Sequence, residues 1–274
     1  MTRTTTTRRT TLSAPDAAPA RVPKRVRAVP AVTRAIAILR LLGRSAEPLG
    51  VKAIARELAL VPSTCLHILR VLVGEELVRV DPETKRYTMG VGMLPLARSV
   101  LERLGFPNVV QPMIDDLAAK WHVTVLGVEL HGLEHMTVLA LAKSSAPFRL
   151  QVDVGSRIPA LGGATGRLAA AYTDQSWKEV EKRFRALRWD KPPTLAAWRK
   201  EVEVAGQKGM SIDRGNYIAG VTFVAAPLLD AGGRLKYAVG AICVSSALDP
   251  AGVTQLAREL KDCADRAQAI LAAS

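Results

Sequence analysis

Pro62 opens the segment that most restricts how this chain can fold. Proline fits the first turn of a helix, where its missing N–H is harmless. Behind it Cys65, Leu69 and Leu72 make one apolar stripe. Ser63, His67 and Arg70 fall at i, i+4 and i+7 on the opposite face, with Thr64 beside them. One side of this predicted helix must be buried, and the other presents small polar and basic groups outward. Ahead of it Ala59-Leu60-Val61 turns the chain, and Ile54, Ala55 and Leu58 mark a short helix with Lys52, Arg56 and Glu57 outward. Earlier still, Val32, Ala35, Ile36, Leu39 and Leu42 keep helical spacing to about Gly43, with Thr33 as its cap, until Glu47-Pro48-Leu49-Gly50 breaks the helix.

Two short helices joined by a tight turn, the second with polar and basic groups at its start, form a helix-turn-helix pattern. Leu77-Val78-Arg79-Val80 and Arg86-Tyr87-Thr88-Met89 then read as strands around Asp81-Pro82-Glu83-Thr84-Lys85, a basic-tipped hairpin that makes the pattern winged. The physical logic points to double-stranded DNA. The third helix fits the major groove, Ser63 and Thr64 bond phosphates or base edges, and Arg70, Lys85 and Arg86 neutralise backbone charge. Overall charge agrees: 38 basic against 25 acidic residues leave +13, which favours a polyanionic partner. Residues 1–29 hold Arg3, Arg8, Arg9, Arg21, Lys24, Arg25 and Arg27 against Asp16 alone, with no apolar period, and are expected to form a disordered basic arm. Arg8-Arg9 is not expected to start an export signal, because Ser13-Ala14-Pro15-Asp16 stands where an apolar stretch is required, and the Thr/Arg-rich, acid-poor composition overlaps with organelle transit peptides but is read as a solvated tail near DNA phosphates. No apolar run reaches membrane-spanning length. Three scattered cysteines, Cys65, Cys243 and Cys263, argue against a disulfide framework and for a reducing cytoplasm.

Val32-Thr33-Arg34-Ala35-Ile36-Ala37-Ile38-Leu39, Pro62-Ser63-Thr64 with Leu69-Arg70-Val71-Leu72, and Arg86-Tyr87-Thr88-Met89-Gly90 closely resemble the DNA-binding domain of the IclR family of bacterial transcriptional regulators. In that resemblance Arg34, Ser63, Thr64, His67, Arg70, Lys85 and Arg86 are the DNA-binding residues. Where family members often carry His-Arg, this chain has Leu66-His67, a smaller group mostly neutral at pH 7, which implies a different base preference. The resemblance divides the chain into a winged helix-turn-helix over 30–90, a linker helix over 91–105 ended by Gly105-Phe106-Pro107, and a GAF-like effector-binding domain over 106–274. It implies a homodimer, or dimers paired as a tetramer, on a pseudo-palindromic operator.

Beyond Pro107 a helix carries Val110, Met113, Ile114, Leu117, Ala118 and Trp121 on one face. Strands are expected at 123–130, 135–142, 148–153, 209–213, 221–229 and 236–245, and helices at 164–172, 176–186, 194–206 and 251–271, an α+β domain. Gly155-Ser156-Arg157-Ile158-Pro159 followed by Gly162-Gly163-Ala164-Thr165-Gly166 is a loop feeding a helix, whose free N–H groups attract a carboxylate or phosphate. Gly209-Met210-Ser211-Ile212-Asp213 and Thr222-Phe223-Val224-Ala225-Ala226-Pro227-Leu228-Leu229-Asp230 resemble the family's C-terminal signature, with Asn216 for the usual Glu, Phe223 for the usual Cys and Leu229 for the usual aromatic. Carried over, the implied effector contacts are Ala164, Thr165, Asp213, Phe223, Cys243 and Ser245. The last two depend on an apparent three-residue insertion around Leu235–Gly240. Phe223 narrows the pocket or offers a ring to stack on, which favours a flatter ligand over a tiny keto acid; the expected effector is a carboxylate or an aromatic catabolite.

Enzyme and metal readings fare worse. His131 and His135, with Glu129 and Glu134 nearby, flank a predicted turn and are expected to splay apart, short of the three or four converging ligands that zinc needs. Cys243 and Cys263 sit in apolar elements without a histidine partner. No phosphate-binding loop, serine elbow or HExxH occurs, so no catalytic residue and no cofactor are expected. The alternative that stays open is a large domain serving oligomerisation alone.

Overall fold

The computed structural model describes residues 29–101, 105–143 and 152–273. Nearly all of the basic arm, and most of the strand expected at 148–153, lie outside those residues. The chain divides into two compact units, one ending at Ala97 and the other beginning at Arg98.

The first unit runs α1 (Pro30–Arg44), β1 (Leu49–Gly50), α2 (Val51–Glu57), α3 (Pro62–Gly74), β2 (Val78–Val80) and β3 (Arg86–Met89), and the division falls within α4 (Met93–Leu101). Prolines open both α1 and α3. Thr33 is not the cap of α1. The helix starts a turn earlier, after Val29, and the Thr33 hydroxyl donates back to the Val29 carbonyl at 3.3 Å. Ile38, Leu41 and Leu42 of α1, Ile54 and Ala55 of α2 and Cys65, Leu69 and Leu72 of α3 meet Val78 and Tyr87 in one core. Truncating a fully buried leucine such as Leu69 costs about 2–5 kcal/mol. Ala59, in a left-handed conformation (φ 53°), turns the chain between α2 and α3, whose axes bend by 112°. The supposed break at 47–50 also contributes structure: Leu49 and Gly50 pair antiparallel with Tyr87 and Arg86, giving the order β1-β3-β2. Two residues are too few for an alternating pattern to show in sequence.

The second unit runs α5 (Gly105–Trp121), β4 (Thr124–His131), β5 (His135–Ala142), β6 (Arg157–Pro159), α6 (Gly163–Ala171), α7 (Trp177–Ala186), α8 (Leu195–Lys208), β7 (Ser211–Arg214), β8 (Val221–Leu229), β9 (Leu235–Val244) and α9 (Pro250–Ala273). Gly105-Phe106-Pro107 does not end a helix but begins α5, with the proline in the first turn where it is tolerated. Phe106 is buried and stacks on Tyr237 with ring centroids 4.3 Å apart. Gly127 makes room for it: a Cβ there would stand 2.9 Å from the ring.

The sheet order is β6-β5-β4-β9-β8-β7, antiparallel throughout. Alternation assigns its faces. Val224, Ala226, Val239, Ala241 and Cys243 pack with α5 and α9, while Val128, Ala238 and Ile242 pack on the side of α6, α7 and α8. The helix-on-sheet layers make this an α+β protein. His131 and His135 do not splay apart. They are directly opposite in the β4–β5 ladder, and their rings stack with centroids 4.5 Å apart.

Candidate functional site

Two surfaces emerge, one in each unit. On α3, Ser63, His67 and Arg70 are exposed and Thr64 is half-buried. The His67 Nδ1 lies 2.8 Å from the Ser63 carbonyl. A carbonyl only accepts, so Nδ1 carries the proton, and in the uncharged form of the ring Nε2 is then the acceptor. That nitrogen suits the amino hydrogens of adenine or cytosine in the major groove. Among the described residues the exposed Arg34, Arg70 and Lys85 side chains have no ion pair or hydrogen bond.

At the wing, the Asp81 carboxylate accepts from the Glu83 and Thr84 amides at 2.9 and 2.8 Å, which holds its pKa below the ordinary value. This turn sets Lys85 at its end in a left-handed conformation (φ 53°). Arg86 is partly committed, because its Nη1 donates to the Pro48 carbonyl at 3.2 Å and ties β3 to the chain before β1. The sequence reading passed over Val61 and Val71, 64% and 65% exposed at the start and on the outer side of α3. Exposed valines on such a helix suit thymine methyl groups. Their signal was available in the helical period, since Val71 lies four residues from His67.

In the second unit a narrow cavity of about 40 Å³ opens at the start of α6, lined by Ala164, Thr165, Tyr217, Phe223 and Ile242 among others. Glycines shape its mouth. A Cβ on Gly162 would approach the Tyr217 ring to 2.9 Å, Gly163 is left-handed (φ 61°) against Phe223, and a Cβ on Gly166 would overlap the Leu161 carbonyl. The Thr165 and Tyr217 hydroxyls have no hydrogen-bond partner among the described residues. Burial, with a smaller effect of the Asp190 charge, pushes the Tyr217 phenol upward, so it stays a neutral donor. Gly162, at the helix start, brings no side-chain cap to the first-turn N–H groups.

Three expected contacts are elsewhere. Asp213 is wholly buried, and its carboxylate accepts from the Asn216 and Tyr217 amides at 2.8 and 3.2 Å. The Arg167 guanidinium lies 3.5 Å from the same carboxylate. Asp213 therefore holds the loop that carries Tyr217 rather than facing the cavity. Cys243 points to the opposite sheet face, into the core under α9, because it is one residue out of phase with Ile242. Ser245 is exposed beyond β9, its hydroxyl 2.9 Å from that of Thr222. Burial raises the thiols of Cys65, Cys243 and Cys263, the last to about 11.

Arg167 was not foreseen. It is 2% exposed; its Nε donates to Glu201 at 2.7 Å, its Nη1 to the Gly163 carbonyl at 3.0 Å and its Nη2 to Asn216 at 3.4 Å. It thereby joins the α6 start to the Tyr217 loop.

Residues 31–82 match the IclR helix-turn-helix domain, and residues 98–269 match the family described as bacterial transcriptional regulator IclR C-terminal. The chain belongs to the IclR family of transcriptional regulators. A glycerol operon regulatory protein of Streptomyces griseus is 31% identical over 247 residues, 87% of this chain and 94% of that protein. The HTH-type transcriptional repressor AllR of Salmonella typhimurium is 24% identical, covering 76% of this chain and 78% of its own. Among solved structures, an IclR transcriptional regulator from Alicyclobacillus acidocaldarius superposes with a TM-score of 0.76 at 23% identity, over 89% of this chain and 99% of that one. An IclR homologue from Microbacterium hydrocarbonoxydans, complexed with 4-hydroxybenzoate, gives 0.73 at 19% identity, over 89% and 100%. This IclR-family protein is thus a transcriptional regulator with a DNA-binding helix-turn-helix domain, and its homologues are regulators.

Proposed function

We propose that this regulator binds a pseudo-palindromic operator as a homodimer in the cytoplasm, and that a small aromatic carboxylate in the second unit changes its grip. The observation that carries the DNA part is the outward flank of α3, where Ser63, His67 and Arg70 stand exposed above a buried Cys65–Leu69–Leu72 stripe. One such helix touches too few base pairs for specificity, so two half-sites and a symmetric dimer are required. Residues 30–90 then form the DNA-binding part, 91–105 the linker and 106–274 the effector part.

Ring stacking and hydrogen-bond donors support an aromatic carboxylate. Tyr217 and Phe223 present tilted rings 5.9 Å apart, and the Thr165 and Tyr217 hydroxyls are placed to donate. The relative solved with 4-hydroxybenzoate points the same way. A mostly apolar lining disfavours a polyol, although two relatives are named for a glycerol operon. Because the cavity has room for only a few waters, its walls must widen as a ligand binds. That narrowness also favours a second reading, in which the domain only assembles the dimer.

Titrating 4-hydroxybenzoate, other benzoates and glycerol against a preformed protein–operator complex separates the two. The effector reading predicts that at least one benzoate shifts operator affinity about fivefold or more, the lower range of ordinary coupling, that Phe223→Ala blunts the shift, and that glycerol does nothing. No shift with any benzoate supports the assembly-only reading.

A further inference from the structure

A larger, polar-rimmed recess lies away from that cavity, at the free edge of the sheet. Its volume is about 360 Å³, against about 40 Å³ for the cavity at the α6 start. One wall is a face of α8 on which Lys200, Glu201, Val204, Ala205 and Lys208 recur at three- and four-residue spacing. The other wall is Met210, Ser211 and Ile212 at the start of the edge strand β7, and Thr254 of α9 closes one side.

Three observations together describe an occupant. First, Ser211 is 5% exposed and its hydroxyl has no hydrogen-bond partner among the described residues. A buried hydroxyl left unpaired is unfavourable, and here it belongs to a residue in the wall of a recess wide enough for a ligand oxygen to reach it. Second, Lys200 and Lys208 are exposed and, among the described residues, unpaired. The acidic groups beside them are engaged: Glu201 with Arg167 at 2.7 Å, and Glu203 with Arg199 at 3.6 Å. The rim is therefore net positive. Third, Val204 is 44% exposed between the two lysines, and with Ala205, Met210 and Ile212 it makes an apolar bed.

We propose that this groove is a second ligand site, for an amphipathic carboxylate whose apolar body lies on Val204, Met210 and Ile212. Its negative head is held by Lys200 and Lys208, and the Ser211 hydroxyl donates to one of its oxygens. Arg167 lines the groove and its Nη1 donates to the Gly163 carbonyl, so one side chain links the groove to the start of α6.

Calorimetric titration of the full chain with octanoate, and with octyltrimethylammonium as a cation carrying the same tail, tests this. Octanoate is expected to bind at one site and the cation not to bind. Reversing the rim with Lys200→Glu and Lys208→Glu should weaken octanoate about tenfold or more, as repulsion replaces attraction across a part-buried surface. Ser211→Ala should weaken it about fivefold, the size of one lost hydrogen bond, while the melting temperature of the free protein stays level or rises because an orphaned hydroxyl is gone. Phe223→Ala should leave octanoate affinity unchanged. Absence of octanoate binding, equal binding of the cation, affinity indifferent to both groove variants, or a loss confined to Phe223→Ala each overturns the proposal.

Discussion

Asp213 commits both carboxylate oxygens inside the protein, to the Asn216 and Tyr217 amides and toward Arg167. Removing it leaves Arg167, 2% exposed, short of one counter-charge and two backbone amides without acceptors. Asp213→Ala is therefore expected to lower unfolding stability by about 3 kcal/mol, the cost of breaking a buried pair, and to free the Tyr217 loop. Urea denaturation measures it; a loss below about 0.5 kcal/mol, the level of an ordinary surface change, contradicts this role. The residue was legible in the sequence through its signature, but its direction was not. An Asp following an apolar strand reads equally as a ligand group or as a clamp on the turn that follows, and only the backbone of residues 214–217 decides. Arg167 was invisible for a related reason, since an arginine after Gly-Ala-Thr-Gly reads as a solvated helix residue until Glu201 and Asp213 arrive from distant elements. Cys243 was misplaced by the strand period itself, where a shift of one residue exchanges the two faces.

Elements were legible where their periods were long. α3, α8 and α9 show three or more turns of apolar spacing, and β4, β8 and β9 show long apolar runs. β1 has two residues, and the Gly105-Phe106-Pro107 start of α5 reads as a stop because glycine and proline mark both ends of helices. How the elements are tied together is a separate matter, and Glu259 shows it. From α9 it accepts from Lys120 and from the Trp121 indole of α5, both at 2.8 Å. Burial pushes its pKa up, but these hydrogen bonds and one from Gln255 outweigh that and leave it below 4.5. A carboxylate whose pKa is depressed on folding contributes stability above its unfolded value, and that contribution is lost as pH falls through the folded value. Glu259→Gln should cost about 1.5 kcal/mol at pH 7, in the range for charge-assisted hydrogen bonds, and the gap to the parent protein should narrow as the pH falls through the depressed folded pKa. Thermal melts at pH 7 and pH 3.5 check this; a gap that persists unchanged at the lower pH contradicts it.

For the molecule as a whole, the net charge of +13 and the outward polar flank of α3 point the same way. In the proposed account charge brings the protein to any duplex, with an affinity that falls steeply with salt, and the α3 side chains supply preference among duplexes. Fold and family were readable because helix spacing, turn and wing agree across 30–90, whereas the identity of the proposed effector depends on a cavity whose shape arises from loops at 160–163 and 214–220. The central claim, that the α3 flank reads base pairs from a symmetric dimer, is tested most directly by selecting binders from a pool of random duplexes with the parent protein and with Arg70→Ala. The account predicts that the parent protein enriches an inverted repeat, with half-sites about one helical turn or a multiple apart, and that Arg70→Ala weakens binding to it about tenfold or more, as expected for losing a base or phosphate contact. Enrichment of the same repeat with undiminished affinity by Arg70→Ala, or no sequence enrichment by the parent protein, would contradict it.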